Sequence, residues 1–232
     1  MSASTAIIPG KVFARAASVH IDNACNAFLH DCFRQFGIHV IALPGDPVAL
    51  FQRQKFEACV LRLYDPEAEK ILKAARNSPS NKRMVIYGIA RNSQEALKYS
   101  SLGINAIFDE PLDRQSVLKV VRATHLLVIH ELRRYVRVPL VGETSLEIGS
   151  TTLKAATVEV SSGGMSVRSA TPIASSDAIT IRAELPGLPK LNLRAYVCWA
   201  RPADKVYGLR FDPSDDRRLK IRNWIDQYLE IV

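Results

Sequence analysis

Three arginines lie within five residues near the middle of the sequence. They are Arg133, Arg134 and Arg137 in the stretch HELRRYVRVPL, directly after an apolar run with helical spacing. Exposed helix arginines are usually interleaved with acidic partners, and only Glu131 is close enough in sequence to serve. Two interpretations follow: the cations cap the carboxyl end of a helix, where they suit its dipole, or they bind an anion.

From Val136 onward the pattern changes to short apolar strands separated by turn residues, which predicts an antiparallel barrel or sandwich. The predicted strands are 136–142, 145–148, 152–160, 164–169, 178–184, 191–200 and 206–211. A final helix, capped by Ser214 or Asp215, is expected to pack on the barrel. The side chains predicted to face the barrel are Leu219, Trp224, Ile225, Tyr228 and Leu229.

Two motifs in this second half resemble those of the PilZ domain, the bacterial receptor module for cyclic di-GMP. The family's RxxxR corresponds to RRYVR at Arg133–Arg137, and its [D/N]xSxxG corresponds to EVSSGG at Glu159–Gly164. The strands LRAYVCWA and YGLRF are similar to the family's closing strands. The resemblance implies a ligand site made of Arg133, Arg134, Arg137, Glu159, Ser161 and Gly164.

The chemistry of these residue types agrees with that ligand. Arginine binds phosphate bidentately, contacts guanine O6 and N7, and stacks on purine rings. Ser161 offers a hydroxyl, the Glu159 carboxylate can accept from guanine N–H groups, and Gly164 permits close backbone approach. Glu159 departs from the family's Asp or Asn by one methylene, so a shifted geometry and a lower affinity are expected.

The first half alternates apolar strands with amphipathic helices, which predicts a parallel sheet covered on both faces. The predicted strands are 11–16, 39–43, 58–63, 83–89 and 106–108. The predicted helices are 22–36, 47–53, 67–76, 93–102 with Ser93 as N-cap, and a long one capped by Asp113. The apolar stripe of that long helix comprises Val117, Leu118, Val121, Leu127 and Val128.

This order resembles the response-regulator receiver domain, a flavodoxin-like (βα)5 fold, through the fragments FEACVLRLYDP and INAIFDEPLD. The residues that receivers need for phosphorylation are replaced. Ala14–Ala16 stand where the acidic metal ligands are expected, and Arg62 stands at the acceptor aspartate. Ile89 and Glu110 replace the hydroxyl residue and the lysine. Asp65 is the alternative acceptor, but a lone carboxylate before proline more often caps a turn.

Composition excludes several classes of function. The formal charge of +8 is spread as +5 over residues 1–128 and +3 over residues 129–232, so a nucleic-acid partner is not favoured. Cys25, Cys32, Cys59 and Cys198 form no CxxC or zinc spacing, and Cys59 and Cys198 are predicted to be buried. We expect no metal, no cofactor and no catalytic site. The amino-terminal residues lack a signal-peptide pattern, and no apolar run is long enough to span a membrane.

The sequence therefore predicts a cytoplasmic bacterial signalling adaptor with a pseudo-receiver at residues 11–128 and a PilZ domain at residues 129–232. The first hypothesis is that the PilZ domain binds cyclic di-GMP and relays a conformational change to a protein partner through the pseudo-receiver. The second is a PilZ-fold scaffold that no longer binds the nucleotide. A nucleic-acid-binding regulator is the third. Trp199 and Trp224 are both predicted to be core residues.

Overall fold

The computed structural model describes residues 5–6, 13–174 and 178–228. By contacts the chain divides into two compact units, one formed by Phe13–Leu132 and the other by the chain from Arg133 onward with the short strand β1 (Thr5–Ala6). We call them the parallel unit and the barrel unit. The functional boundary proposed at residues 128 and 129 remains a prediction.

The parallel unit contains five strands and five helices. In chain order they are β2 (Ala14–Val19), α1 (Asn23–Arg34), β3 (Ile38–Ala42), α2 (Pro47–Arg53), β4 (Ala58–Arg62), α3 (Ala68–Asn77), β5 (Val85–Ala90), α4 (Ser93–Lys98), β6 (Ala106–Asp109) and α5 (Arg114–Tyr135), whose last turn enters the barrel unit. All neighbouring strands pair in parallel, in the order β3-β2-β4-β5-β6. This order is that of flavodoxin-like folds, which confirms the predicted fold.

Both faces of the sheet are covered, as the continuous apolar runs predict. One face carries a cluster that includes Phe51, Leu72 and Ile86. On the other, Phe33 and Phe108 pack against the ring of Tyr87, whose hydroxyl lies 2.7 Å from the Thr124 hydroxyl. The interior strand β5 is buried along its whole length because helices lie on both sides of it.

Six strands of the barrel unit form a closed barrel. They are β7 (Val138–Ile148), β8 (Thr151–Ser161), β9 (Gly164–Arg168), β10 (Ala178–Ala183), β11 (Leu191–Arg201) and β12 (Val206–Phe211). They pair in the order β7-β10-β11-β12-β9-β8, and β8 pairs with β7 to close the barrel. The short strand β1 extends the same sheet by pairing with β7. The helix α6 (Arg218–Tyr228) follows, so the predicted barrel with a carboxyl-terminal helix is confirmed.

Several predicted details are wrong. The first strand of the parallel unit is Ala14–Val19, so the predicted strand at 11–16 is displaced; residues 11 and 12 lie outside the described residues. The two predicted strands at 136–142 and 145–148 are one strand, β7, with an irregular register between Pro139 and Gly142. Asn92 rather than Ser93 caps α4, because its side chain accepts from the Glu95 amide.

Two apolar helix side chains that were predicted to pack are exposed. Leu127 is 52% exposed and Leu219 is 41% exposed, whereas Val121, Val128, Trp224 and Ile225 are buried as predicted. A helix buries only one stripe of its surface against its neighbours. Leu127 on α5 and Leu219 on α6 each lie at the edge of that stripe. The predicted packing of Tyr228 and Leu229 concerns side chains outside the described residues. No helix in the described part of the chain combines the length and the apolar content that crossing a membrane requires.

Candidate functional site

The arginines lie where α5 ends and β7 begins. Arg133 and Arg134 are in the last turn of α5, as cations at the negative end of a helix dipole should be. Val136 and Val138 are buried on either side of Arg137, so the alternation of the extended chain directs the Arg137 side chain outward. The local sequence therefore presents Arg137 on the barrel surface.

An open pocket of about 350 Å³ lies next to this junction on the barrel unit. Five of the six predicted ligand residues line it: Arg134, Arg137, Glu159, Ser161 and Gly164. We call it the motif pocket. Its size is within the range of small-molecule sites, and two predicted sequence motifs that are two dozen residues apart meet in it.

Arg133 does not line the motif pocket. Its Nε donates a hydrogen bond of 2.7 Å to Asp226 Oδ1 on α6, and both side chains are 19% exposed. A half-buried charge pair with a direct hydrogen bond holds its geometry better than a surface pair does. Arg133 therefore joins the end of α5 to α6, and its predicted contact with a ligand remains a prediction.

Arg137 faces Glu159 across the strand pair β7–β8. The Arg137 Nε lies 3.6 Å from Glu159 Oε1, and the two side chains are 52% and 36% exposed. Exposed ion pairs contribute little net stability because water screens both charges. The pair keeps a cation and a hydrogen-bond acceptor together at the pocket wall. A ligand can replace this contact with its own at a small cost in free energy.

Ser161 and Gly164 form the tight turn between β8 and β9. The Ser161 hydroxyl is buried and donates to the Gly164 carbonyl at 3.0 Å, so its hydrogen is used within the turn and its oxygen is left to accept. A Cβ on Gly164 would lie 2.2 Å from the Leu209 carbonyl oxygen. The glycine is therefore required for β9 to approach β12, in addition to lining the pocket.

Trp199 and Cys198 were predicted to be buried, and both are exposed. The alternation of buried Leu191, Leu193 and Ala195 would turn Trp199 inward, but an irregular register between Val197 and Trp199 reverses the side. The indole lies across Gly208 of β12, where a Cβ would be 2.1 Å from its ring. The sequence signal that could have revealed this is the glycine opposite the tryptophan.

The pocket thus combines cations with an aromatic face. Arg210 of β12 also lines it and was not predicted as a site residue. An exposed indole beside several guanidinium groups can stack on a flat ring while the arginines bind phosphates. Among the described residues no group of three or more histidine, cysteine or acidic side chains could hold a metal ion.

The parallel unit has a cluster of charged side chains at the carboxyl ends of its strands. The residues that follow β2 are His20, Ile21 and Asp22, so the assignment of Ala14–Ala16 to that place was wrong; Ala14 and Ala16 are buried within the strand. Arg62 ends β4, as predicted, and its Nη2 donates to Asp22 Oδ2 at 2.6 Å. The Arg62 guanidinium lowers the pKa of the Asp22 carboxyl.

Further charged and polar side chains at the carboxyl ends of these strands contact one another. Glu110 Oε2 accepts from the Tyr64 hydroxyl at 2.7 Å and lies 3.6 Å from Arg91 Nε. Asp65 accepts from the Glu67 amide and lies 2.9 Å from His20 Nδ1, an arrangement typical of a turn residue. A guanidinium therefore occupies the place where a receiver would hold a carboxylate and a metal ion.

The parallel unit is expected not to accept phosphate. With acetyl phosphate and Mg²⁺, intact-mass spectrometry of the full chain should show no added phosphoryl group, because Arg62 offers neither a nucleophile nor a metal ligand. A receiver domain with an intact acceptor is the positive control. A hydroxylamine-sensitive phosphoryl group mapped to Asp65 would contradict this expectation.

One comparison with known proteins identifies the barrel unit. The family model described as PilZ domain matches residues 131–230, so this part of the chain is a PilZ domain, as its motifs predicted. A comparison with curated proteins finds no match.

Solved structures match the first half. The receiver domain of the sensor histidine kinase PA1611 from Pseudomonas aeruginosa is 14% identical, covering 49% of this chain and 98% of that one, with a TM-score of 0.42. The chemotaxis response regulator CheY4 of Vibrio cholerae is 15% identical, with coverages of 48% and 98% and a TM-score of 0.43. A putative response regulator from Chloroflexus aurantiacus is 18% identical, with coverages of 50% and 98% and a TM-score of 0.43. The chain thus joins a PilZ domain to a unit with a flavodoxin-like fold.

Proposed function

We propose that this protein is a bacterial cyclic di-GMP receptor that passes a ligand-dependent change to a protein partner through its parallel unit. The observation that carries the proposal is the meeting of five motif residues in one pocket. We assign no catalytic step, cofactor or metal to this function.

The pocket matches the ligand group by group. Arg134 and Arg137 can bind phosphate oxygens or the O6 and N7 edge of guanine. Glu159 can accept hydrogen bonds from guanine N1–H and N2–H. GTP has one guanine with these donors, whereas cyclic di-GMP has two. Trp199 provides a stacking face for a purine ring.

Isothermal titration calorimetry tests the proposal. Nucleotide-free protein should bind cyclic di-GMP and should bind GTP and cyclic GMP at least tenfold more weakly, since each lacks the second base and its contacts. The absence of binding heat at several temperatures would favour a PilZ-fold scaffold, a hypothesis that the engagement of Arg133 by Asp226 also supports.

The relay to a partner uses α5, a continuous helix from Arg114 to Tyr135 with the arginines at its end. Ligand binding at Arg134 and Arg137 neutralises their mutual repulsion and fixes the segment between α5 and β7. Because this segment is covalently continuous with the helix, its ordering changes the stability of the helix, and a partner bound to the parallel unit can sense that change.

Hydrogen exchange with and without cyclic di-GMP measures this effect. Protection should rise at residues 131–138 and change along residues 113–130. Residues 68–77 of α3, which are distant in sequence from the arginines, serve as the internal reference. Protection that rises only at residues 159–164 would show that α5 is not the transmitter.

A further inference from the structure

A second open pocket, of about 360 Å³, lies beside the motif pocket on the outer face of the barrel. Glu159, Ser166 and Trp199 line both pockets, so the two share a wall. Arg168 and Arg201 belong to the second pocket alone. Neither arginine is part of the two sequence motifs.

Strand register places these two arginines in one row. Arg201 of β11 pairs with Val206 of β12, and Val206 pairs with Arg168 of β9. The two arginines are therefore two strands apart, a backbone separation of about 10 Å. Val206 between them is buried and forms an apolar floor. Two cations on either side of an apolar floor fit a flat ring that carries an anionic group.

Arg168, Arg201 and Arg210 near Trp199 differ from Arg182 and Arg194 on the barrel strands in having no acidic partner. Arg182 pairs with Glu147, Arg194 with Asp212 and Arg217 with Asp215. Within the described part of the chain, no ion pair is formed by Arg168, Arg201 or Arg210. The guanidinium of Arg201 instead lies 5.0 Å from the centre of the Trp199 ring. Unpaired cations beside an indole favour an anionic, aromatic ligand.

The two pockets are chemically alike. Each has arginines that can bind phosphate and a carboxylate that can accept from a base: Glu159 lines both pockets, and Asp204 lines only the second. A ligand with two identical halves, each a phosphate and a guanine, has the same repeated chemistry. Trp199 lies where the two halves would meet.

We propose that the two pockets form one groove, and that Arg168 and Arg201 bind the second phosphate and base of a single dinucleotide. This inference rests on the proposed function and deepens it. It assigns two arginines outside the motifs to ligand binding, and it explains a preference for a dinucleotide over a mononucleotide.

The test compares Arg168→Gln and Arg201→Gln with the unchanged protein by calorimetry with cyclic di-GMP. Each variant should lower the affinity about tenfold, because a charge-assisted hydrogen bond is lost, and the stoichiometry should stay at one ligand per chain. Arg182→Gln is the control, since Arg182 is also an exposed arginine on a barrel strand but lines neither pocket. Thermal unfolding of each variant checks that the fold is unchanged.

Three results separate the outcomes. Unchanged affinity in both variants would overturn the single groove while leaving the proposed function standing. Two ligands per chain, with the second lost in Arg168→Gln, would also overturn it, because the pockets would then be separate sites. If the unchanged protein binds no cyclic di-GMP, the proposed function fails, and the inference that rests on it fails with it.

Discussion

Arg137→Ala is expected to lower the affinity for cyclic di-GMP by about ten- to a hundredfold, the equivalent of one charged hydrogen-bonding partner. The side chain is half exposed at the wall of the motif pocket, and its one described ion pair is the exposed contact with Glu159 at 3.6 Å. Its loss should change the free energy of unfolding by less than about 0.5 kcal/mol. Calorimetry measures the affinity, and urea denaturation measures the stability.

Arg182→Ala is the control for this substitution. Arg182 is 58% exposed and pairs with Glu147 on the barrel, as Arg137 is 52% exposed and pairs with Glu159, but it lies outside both pockets. An equal loss of affinity in the two variants would mean that binding depends on general positive charge. An affinity unaffected by Arg137→Ala would remove the motif pocket from consideration as the ligand site.

Gly164→Ala is expected to reduce the free energy of unfolding by about 2–3 kcal/mol. A Cβ at this position would lie 2.2 Å from the Leu209 carbonyl oxygen, which is backbone and cannot rotate away. The strands β9 and β12, which pair through Gly164 and Arg210, must separate to admit it. Urea unfolding followed by circular dichroism measures the loss.

Gly163→Ala is the matched control, because a Cβ there meets nothing within 4 Å. It should change stability by less than about 0.5 kcal/mol. Equal stability of the Gly164 and Gly163 variants would show that β9 and β12 are not as close as the structure has them. The comparison separates the packing role of Gly164 from its place in the pocket wall, since only the first affects the protein without ligand.

The sequence by itself determined the elements and their kind. Continuous apolar runs between amphipathic helices specify a buried parallel sheet, and short strands with turn residues specify an antiparallel barrel. These signals are local, so they can be recognised without knowing which other segments of the chain each element packs against. The two PilZ motifs are also local, and they identified five residues of the motif pocket, from Arg134 to Gly164.

Some errors arose where a local pattern was interrupted. The alternation of β11 predicted an inward Trp199, but the irregular register that turns it outward depends on pairing with β12. The same applies to β7, where the predicted break between residues 142 and 145 lies inside one continuous strand. A strand's register is decided by its neighbours, because hydrogen bonds between strands and the space above a residue such as Gly208 are not encoded in the strand itself.

Contacts between distant residues were decided by the tertiary structure alone. The motif gives three arginines without saying which of them is engaged elsewhere, and Asp226, which binds Arg133, is 93 residues away. Arg168 and Arg201 are far apart in sequence and become neighbours through β12, so no motif joins them. Closure of the barrel brings strands together in an order different from the chain order. A charged side chain's role depends on which opposite charge lies within a few ångströms, and only the folded chain fixes that distance.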